Sequence, residues 1–141
     1  MSEDWLKTLA PYNVIDRGLI MGEFPAKQLP EGAEFSVNLD TVPHNVGTVR
    51  LHFPFEDGPT VPAFHRLYAV AHTVNTWREH DQSVYVHCRA GLNRSGLICA
   101  LVLMQRGYSA SSAIMLLRQK RDSAVLCNNA FERWLLNLNV S

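Results

Sequence analysis

Apolar residues recur along the chain with two different periods, which predict strands that alternate with helices. Short apolar or alternating runs at 18–22, 34–40, 49–55 and 83–87 predict β-strands. A longer run predicts a helix that ends near residues 80–82, because its apolar residues follow one another at spacings of three and four: Phe64, Leu67, Ala71, Val74 and Trp77. Further helices are predicted at 95–106, 110–121 and 129–138. This alternation favours an α/β fold with helices packed around a central sheet.

Length, charge and cysteine content narrow the functional classes. The 141 residues predict one compact domain over 1–141, and thirteen basic residues balance thirteen acidic ones. A protein that acts on nucleic acid or on an anionic membrane usually has a basic excess, so neither is the expected main partner. Three widely spaced cysteines, no signal peptide and no membrane-length apolar run indicate a cytoplasmic protein with free thiols.

The segment between the strand at 83–87 and the helix at 95–106 reads HCRAGLNRSG. A short loop that leaves a strand and enters a helix can turn successive N–H groups toward one point, where they bind an anion beside the positive helix end. Gly91 allows a backbone conformation that other residues resist. The predicted phosphate-binding residues are Arg89, Ala90, Gly91, Leu92, Asn93 and Arg94.

Three side chains of this segment carry complementary chemistry. Cys88 lies at the base of the predicted loop, where donors that bind a phosphate also stabilise a thiolate nucleophile. Arg94, six residues later, can bind two phosphate oxygens with its guanidinium group. Ser95 can donate a hydrogen bond to the Cys88 sulfur. The alternative interpretation is that Cys88 has no catalytic role and only fills space as a small buried apolar residue.

The pattern of His-Cys, five residues, Arg and Ser resembles the protein tyrosine phosphatase superfamily, with His87, Cys88, Gly91, Arg94 and Ser95 as the matching residues. The length of the chain and the central position of the cysteine resemble the compact dual-specificity phosphatases. The resemblance implies a mixed central sheet flanked by helices. It also implies hydrolysis of phosphotyrosine and phosphoserine/threonine through a thiophosphate intermediate.

In this superfamily an Asp roughly 30 residues before the Cys protonates the leaving oxygen. Asp57, 31 residues before Cys88 in FPFEDGPTVP, is therefore the expected general acid. Glu56 is the neighbouring alternative, and an Asp-Gly turn with no catalytic role is another.

The resemblance also covers two positions after the third predicted helix. Arg121 falls where several members place a second basic residue near the pocket, although a solvated helix end is an equal alternative. Asn128 matches an Asn-x-x-Phe feature that closes the site. With Asn93 directly before Arg94, the loop resembles that of RNA 5′-triphosphatases, which lack the aspartate acid. Hydrolysis of RNA 5′-triphosphates is therefore the first alternative activity. A phosphoinositide phosphatase is the next, although its loop usually has extra lysines.

The expected partners are a phosphorylated protein or peptide and an oxyanion in the loop, with a monomer as the expected state. We expect no cofactor and no metal site, because the histidines lack metal-ligand spacing. Cys99 is expected in the core, and a disulfide from Cys127 to Cys88 stays a hypothesis. A phosphate-binding module without turnover and a rhodanese-like sulfur transferase are the remaining alternatives.

Overall fold

The computed structural model describes residues 9–25, 27–43 and 46–138. These residues form strands and helices in the following chain order: β1 (Tyr12–Asp16), β2 (Leu19–Gly22), β3 (Phe35–Asn38), β4 (Val49–His52), α1 (Phe64–Glu79), β5 (Val84–His87), α2 (Arg94–Met104), α3 (Ala110–Lys120) and α4 (Asn129–Leu136).

The strands form one mixed sheet in the order β1-β2-β5-β3-β4. β1 pairs with β2 antiparallel, whereas β2, β5, β3 and β4 run parallel to one another. All residues of β5 are buried, which agrees with its central place and with its Val-Tyr-Val sequence. β4 lies at an edge and is largely exposed. The predicted α/β architecture with a central mixed sheet flanked by helices is therefore confirmed.

Helix α2 is buried almost all round, from Arg94 to Leu103. It packs against α1, α3 and α4 and against strands β2 and β5. Its run of apolar residues on every face, LICALVL, explains this central position. Among the described residues, no helix combines the length and the apolar character that crossing a bilayer would require.

The largest difference from the sequence prediction is β1, which was not predicted. Its sequence, YNVID, includes Asn and Asp, which are depleted in strands. It forms because a tight turn at Gly18, with φ of +74°, brings it back along β2. The predicted ends of α2 are also shifted: the helix begins at Arg94 and ends at Met104, before Gly107 with its φ of +105°.

The parallel strands bring the ends that carry chemistry to one edge of the sheet. β2, β3, β4 and β5 all point the same way, so the segments that follow them meet at that edge. The predicted loop follows β5, and the segment of residues 53–60 that contains Asp57 follows β4. The fold thus places two distant parts of the sequence at a common site.

Candidate functional site

Residues 88–94, called the 88–94 loop below, connect β5 to α2 and have carbonyl groups that bind partners outside the loop. The N–H of Phe24 donates to the Arg89 oxygen at 3.1 Å, and the N–H of Leu126 donates to the Leu92 oxygen at 3.2 Å. Between them, Arg121 donates to the Ala90 oxygen at 3.0 Å and to the Gly91 oxygen at 2.7 Å.

These four carbonyls determine where the N–H groups of the loop point. No described peptide bond is cis. In a trans peptide the C=O and the next N–H point in opposite directions. The N–H groups that follow the four carbonyls therefore point away from those partners. N–H groups arranged in this way beside a helix N-terminus are the geometry that an anion-binding loop requires.

Gly91 allows the loop to lie close to the end of β2. Its φ is +72°, in the left-handed region that favours glycine. A Cβ atom at this position would lie 2.3 Å from the carbonyl carbon of Gly22 and 2.4 Å from its oxygen. A side chain here would therefore force the loop and the strand end apart.

Cys88 and Ser95 meet at the base of the loop. The Cys88 sulfur lies 3.4 Å from the Ser95 hydroxyl, and both residues are buried. His87, at the end of β5, is fully buried; its ring stacks on Tyr85 at 5.2 Å and meets the edge of Phe24 at 5.6 Å. These aromatic rings therefore pack around the residue that directly precedes Cys88.

Arg94 lies at the start of α2 and is 9% exposed. Its Nη1 donates to the Phe55 oxygen at 3.1 Å and lies 3.7 Å from Oδ1 of Asp40. Its Nε is shielded from solvent and has no hydrogen-bond partner among the described residues. A buried donor of this kind is costly unless a ligand accepts a hydrogen bond from it.

Asp57 is held against the loop by two side-chain amides. Asn93 Nδ2 donates to one oxygen of Asp57 at 3.1 Å, and Asn128 Nδ2 donates to the other at 2.8 Å. Asn128 also donates to the Gly58 oxygen at 2.9 Å and caps α4 with its own side-chain oxygen. The neighbouring Glu56 is exposed, and no hydrogen bond or ion pair joins it to the loop among the described residues.

Residues 26–141 match the family described as dual specificity phosphatase, catalytic domain. The chain belongs to this family. Membership places it among the phosphatases, which are hydrolases.

Curated relatives of this dual-specificity phosphatase domain are named tyrosine phosphatases. It is 35% identical over 91 residues to protein tyrosine phosphatase PRL-1 of Leishmania major, which covers 59% of this chain and 51% of that protein. It is 31% identical over 88 residues to protein tyrosine phosphatase type IVA 3 of Mus musculus, which covers 56% of this chain and 46% of that protein. The matched region thus spans about half the length of these two relatives.

A solved structure shows the same fold. The crystal structure of human DUSP28 has a TM-score of 0.77 to this chain, at 19% sequence identity. The similarity covers 91% of this chain and 92% of that one. The shared fold confirms the expected cysteine-phosphatase architecture of the dual-specificity type.

Arg121 lies beneath the loop of this dual-specificity phosphatase domain and is 8% exposed. Besides the two loop carbonyls, it donates to the Ala10 oxygen at 3.0 Å and to Asn13 Oδ1 at 2.9 Å. Burial lowers its pKa from the ordinary value, and nearby Tyr85 opposes that shift. A solvated helix end is therefore the wrong interpretation, because α3 ends against β1 and the loop rather than in solvent.

Asp40 is a site residue to which the sequence analysis assigned no role. It follows β3, is 3% exposed, and its Oδ2 lies 3.0 Å from Nε of Arg89. With its Oδ1 near Arg94, it lies between the two arginines of the loop. The available signal was a carboxylate soon after a buried strand, in VNLD, at the sheet edge where the loop lies.

The remaining cysteines occupy contrasting environments. Cys99 is fully buried in α2, and burial raises its pKa above the ordinary thiol value, so it stays protonated in the core. Cys127 is exposed, and its sulfur lies 3.5 Å from Asn93 Nδ2. A Cys88–Cys127 disulfide stays a hypothesis.

Proposed function

We propose that this chain is a two-step, cysteine-dependent phosphomonoester hydrolase that acts on phosphotyrosine and phosphoserine/threonine in proteins or peptides. The observation that carries the proposal is the set of four loop carbonyls held outward by partners outside the 88–94 loop. We infer that the N–H groups of the same peptides converge next to Cys88, where such donors stabilise both a thiolate and phosphate oxygens.

In the first step the Cys88 sulfur attacks phosphorus. The S–P bond forms as the P–O ester bond breaks, and the electron pair of that bond goes to the leaving oxygen. Asp57 gives its proton to this oxygen. Arg94 and the loop N–H groups hold the charged phosphoryl oxygens, and the Nε of Arg94 is a buried donor suited to one of them.

In the second step water hydrolyses the thiophosphate. The water oxygen attacks phosphorus, its proton passes to the Asp57 carboxylate, and the S–P bond breaks with its electron pair returning to sulfur. The Ser95 hydroxyl, 3.4 Å from the Cys88 sulfur, donates a hydrogen bond to the departing thiolate. Inorganic phosphate is the product.

The position of Asp57 favours a phosphomonoesterase over an RNA 5′-triphosphatase. RNA 5′-triphosphatases of the superfamily lack this acid, and here the carboxylate contacts Asn93 of the loop itself. Arg89 gives little support to a phosphoinositide substrate. Its Nε already lies 3.0 Å from a carboxylate oxygen of Asp40 in an ion pair, and its guanidinium lies 5.0 Å over the ring of Phe24.

The setting of the enzyme follows from its chemistry. A thiolate nucleophile must stay reduced, so we place the protein in a reducing compartment such as the cytoplasm. A monomeric catalytic domain over residues 1–141, with no cofactor, stays the prediction.

The test is a substrate panel with matched variants. Wild-type protein should hydrolyse phosphotyrosine and phosphoserine peptides without added metal, in preference to phosphoinositides and triphosphate-ended RNA. Cys88→Ser should abolish turnover but keep phosphate binding, whereas Cys99→Ala, which removes a buried thiol outside the loop, should keep turnover. Activity that survives Cys88→Ser contradicts the proposal. Preferential release of γ-phosphate from RNA would replace it with the first alternative.

A further inference from the structure

The side chain of Asn93 connects the 88–94 loop to two other segments of the chain. Its Nδ2 donates to Oδ2 of Asp57 at 3.1 Å. Its Oδ1 accepts the backbone N–H of Asn128 at 2.9 Å, and Cys127 lies beside both atoms. Both ends of the amide are therefore engaged within the protein, which gives Asn93 a use that needs no RNA substrate.

The contacts of Asn93 and Asn128 fix the Asp57 carboxyl from two sides. Each carboxyl oxygen accepts one amide N–H, and the two donors come from different segments. Asp57 is otherwise exposed, on a segment that follows an edge strand. Without these donors its side chain would be free to adopt other rotamers.

Asn93 is itself held firmly in place. Its carbonyl accepts the N–H of Leu97 at 2.9 Å in the first turn of α2, and Arg94 follows it directly. The Asp57 carboxyl is therefore anchored to the same loop and helix that hold Cys88 and Arg94.

We propose that Asn93 is a positioning residue for proton transfer by Asp57. The inference rests on the proposed phosphatase function. As the P–O bond breaks, the proton leaves Asp57 and negative charge appears on its carboxylate. A hydrogen bond to a charged acceptor is about twice as strong as one to a neutral acceptor. The N–H of Asn93 thus binds the carboxylate more strongly as the transfer proceeds, which favours the transition state.

The kinetic test is Asn93→Ala assayed on aryl phosphates whose leaving groups range from good to poor. General acid catalysis contributes about 10²–10⁴-fold, so loss of one of the two donors should lower kcat roughly tenfold for the poorest leaving group and less than about twofold for the best. Inhibition by inorganic phosphate should stay unchanged. Asn129→Ala is the matched control, because Asn129 is exposed and has no side-chain hydrogen bond among the described residues.

The double variant with Asp57→Asn separates positioning from general damage. If Asn93 acts through Asp57, adding Asn93→Ala to Asp57→Asn should cause no further loss that depends on the leaving group. A uniform loss across the series, weaker phosphate inhibition, or full additivity overturns the proposal. If Asn93→Ala does not fold, Asn93→Ser serves in the same assays.

Hydrogen exchange supplies a readout that does not depend on turnover. Backbone amides of residues 56–58 should exchange faster in Asn93→Ala than in wild type or Asn129→Ala, because the carboxyl anchor is lost. Unchanged exchange overturns the positioning contact even in a protein with no phosphatase activity. If wild type has no phosphatase activity but Asn93→Ala still exchanges faster than wild type, the contact stands and only the proposed function is contradicted.

Discussion

Replacing Arg121 with Met tests whether the shape of the 88–94 loop depends on a buried cation. Methionine fills much of the same volume but removes every donor. The carbonyls of Ala90, Gly91 and Ala10 and the side-chain oxygen of Asn13 would each lose a hydrogen bond. Two of these acceptors belong to the loop, so the variant disturbs both stability and anion binding.

The expected magnitude follows from the burial of these groups. A buried acceptor without a partner costs about 1–3 kcal/mol. Hydrogen bonds that involve a charged group contribute about 1.5–3 kcal/mol each, and Arg121 makes four of them. We therefore expect Arg121→Met to lower the free energy of unfolding by about 3–5 kcal/mol, a large share of the roughly 5–15 kcal/mol typical of a domain. Phosphate affinity should fall by about tenfold or more, because two loop peptides lose the contacts that orient their N–H groups.

Denaturant titration and phosphate inhibition measure the two effects separately. Urea unfolding gives the change in stability by linear extrapolation. Arg121→Lys should be intermediate, since an ammonium group keeps the charge but cannot reach four acceptors at fixed angles. Arg133→Met is the matched control: Arg133 is exposed on α4 with one 3.4 Å contact, so its loss should change stability by less than about 0.5 kcal/mol.

Two results would refute the reasoning about Arg121. A stability loss below about 1 kcal/mol, with unchanged phosphate inhibition, would show that the loop keeps its shape without the cation. A stable variant with a raised KM for peptides alone would assign Arg121 to substrate contact.

The other predictions concern the chemistry and the backbone of the loop. Ser95→Ala should slow thiophosphate hydrolysis more than its formation, because the Cys88 thiolate departs without a hydrogen-bond donor; rapid-quench kinetics should show a burst, and its absence would assign Ser95 to another step. Gly91→Ala should cost more than about 2 kcal/mol in urea unfolding, since its Cβ would overlap the Gly22 carbonyl in a left-handed backbone. Gly96→Ala is the comparison, because its nearest neighbours are side-chain atoms of Leu126 at 3.1 Å and Val125 at 3.2 Å rather than backbone atoms; equal losses would contradict the overlap argument.

The segment from β5 to α2 was predictable because its information is local. A strand rich in valine, a loop with Gly91 and a helix with the apolar run LICALVL are adjacent in the sequence, and this segment also contains Cys88 and Arg94. The α/β fold class followed from apolar residues that alternate along the chain between strand-like and helix-like spacing. β1 was missed because its strand conformation is stabilised by pairing with β2 and is not favoured by its own composition.

The rest of the site depends on contacts between residues far apart in the chain. The resemblance to the phosphatase superfamily suggested Asp57, but its contact with Asn93 exists because parallel strands β4, β3 and β5 end at the same edge of the sheet. Asp40 joins the arginines for the same reason.

Sequence alone determined the chemical groups of this protein and the short loop that presents them. Tertiary structure decided which distant residues support that loop. Arg121 illustrates the division: a basic residue after a predicted helix is compatible with solvent or with a pocket, and only packing against β1 and the loop buries it. Burial and hydrogen-bond pairing are properties of the assembled chain, because they depend on neighbours that the local sequence does not contain.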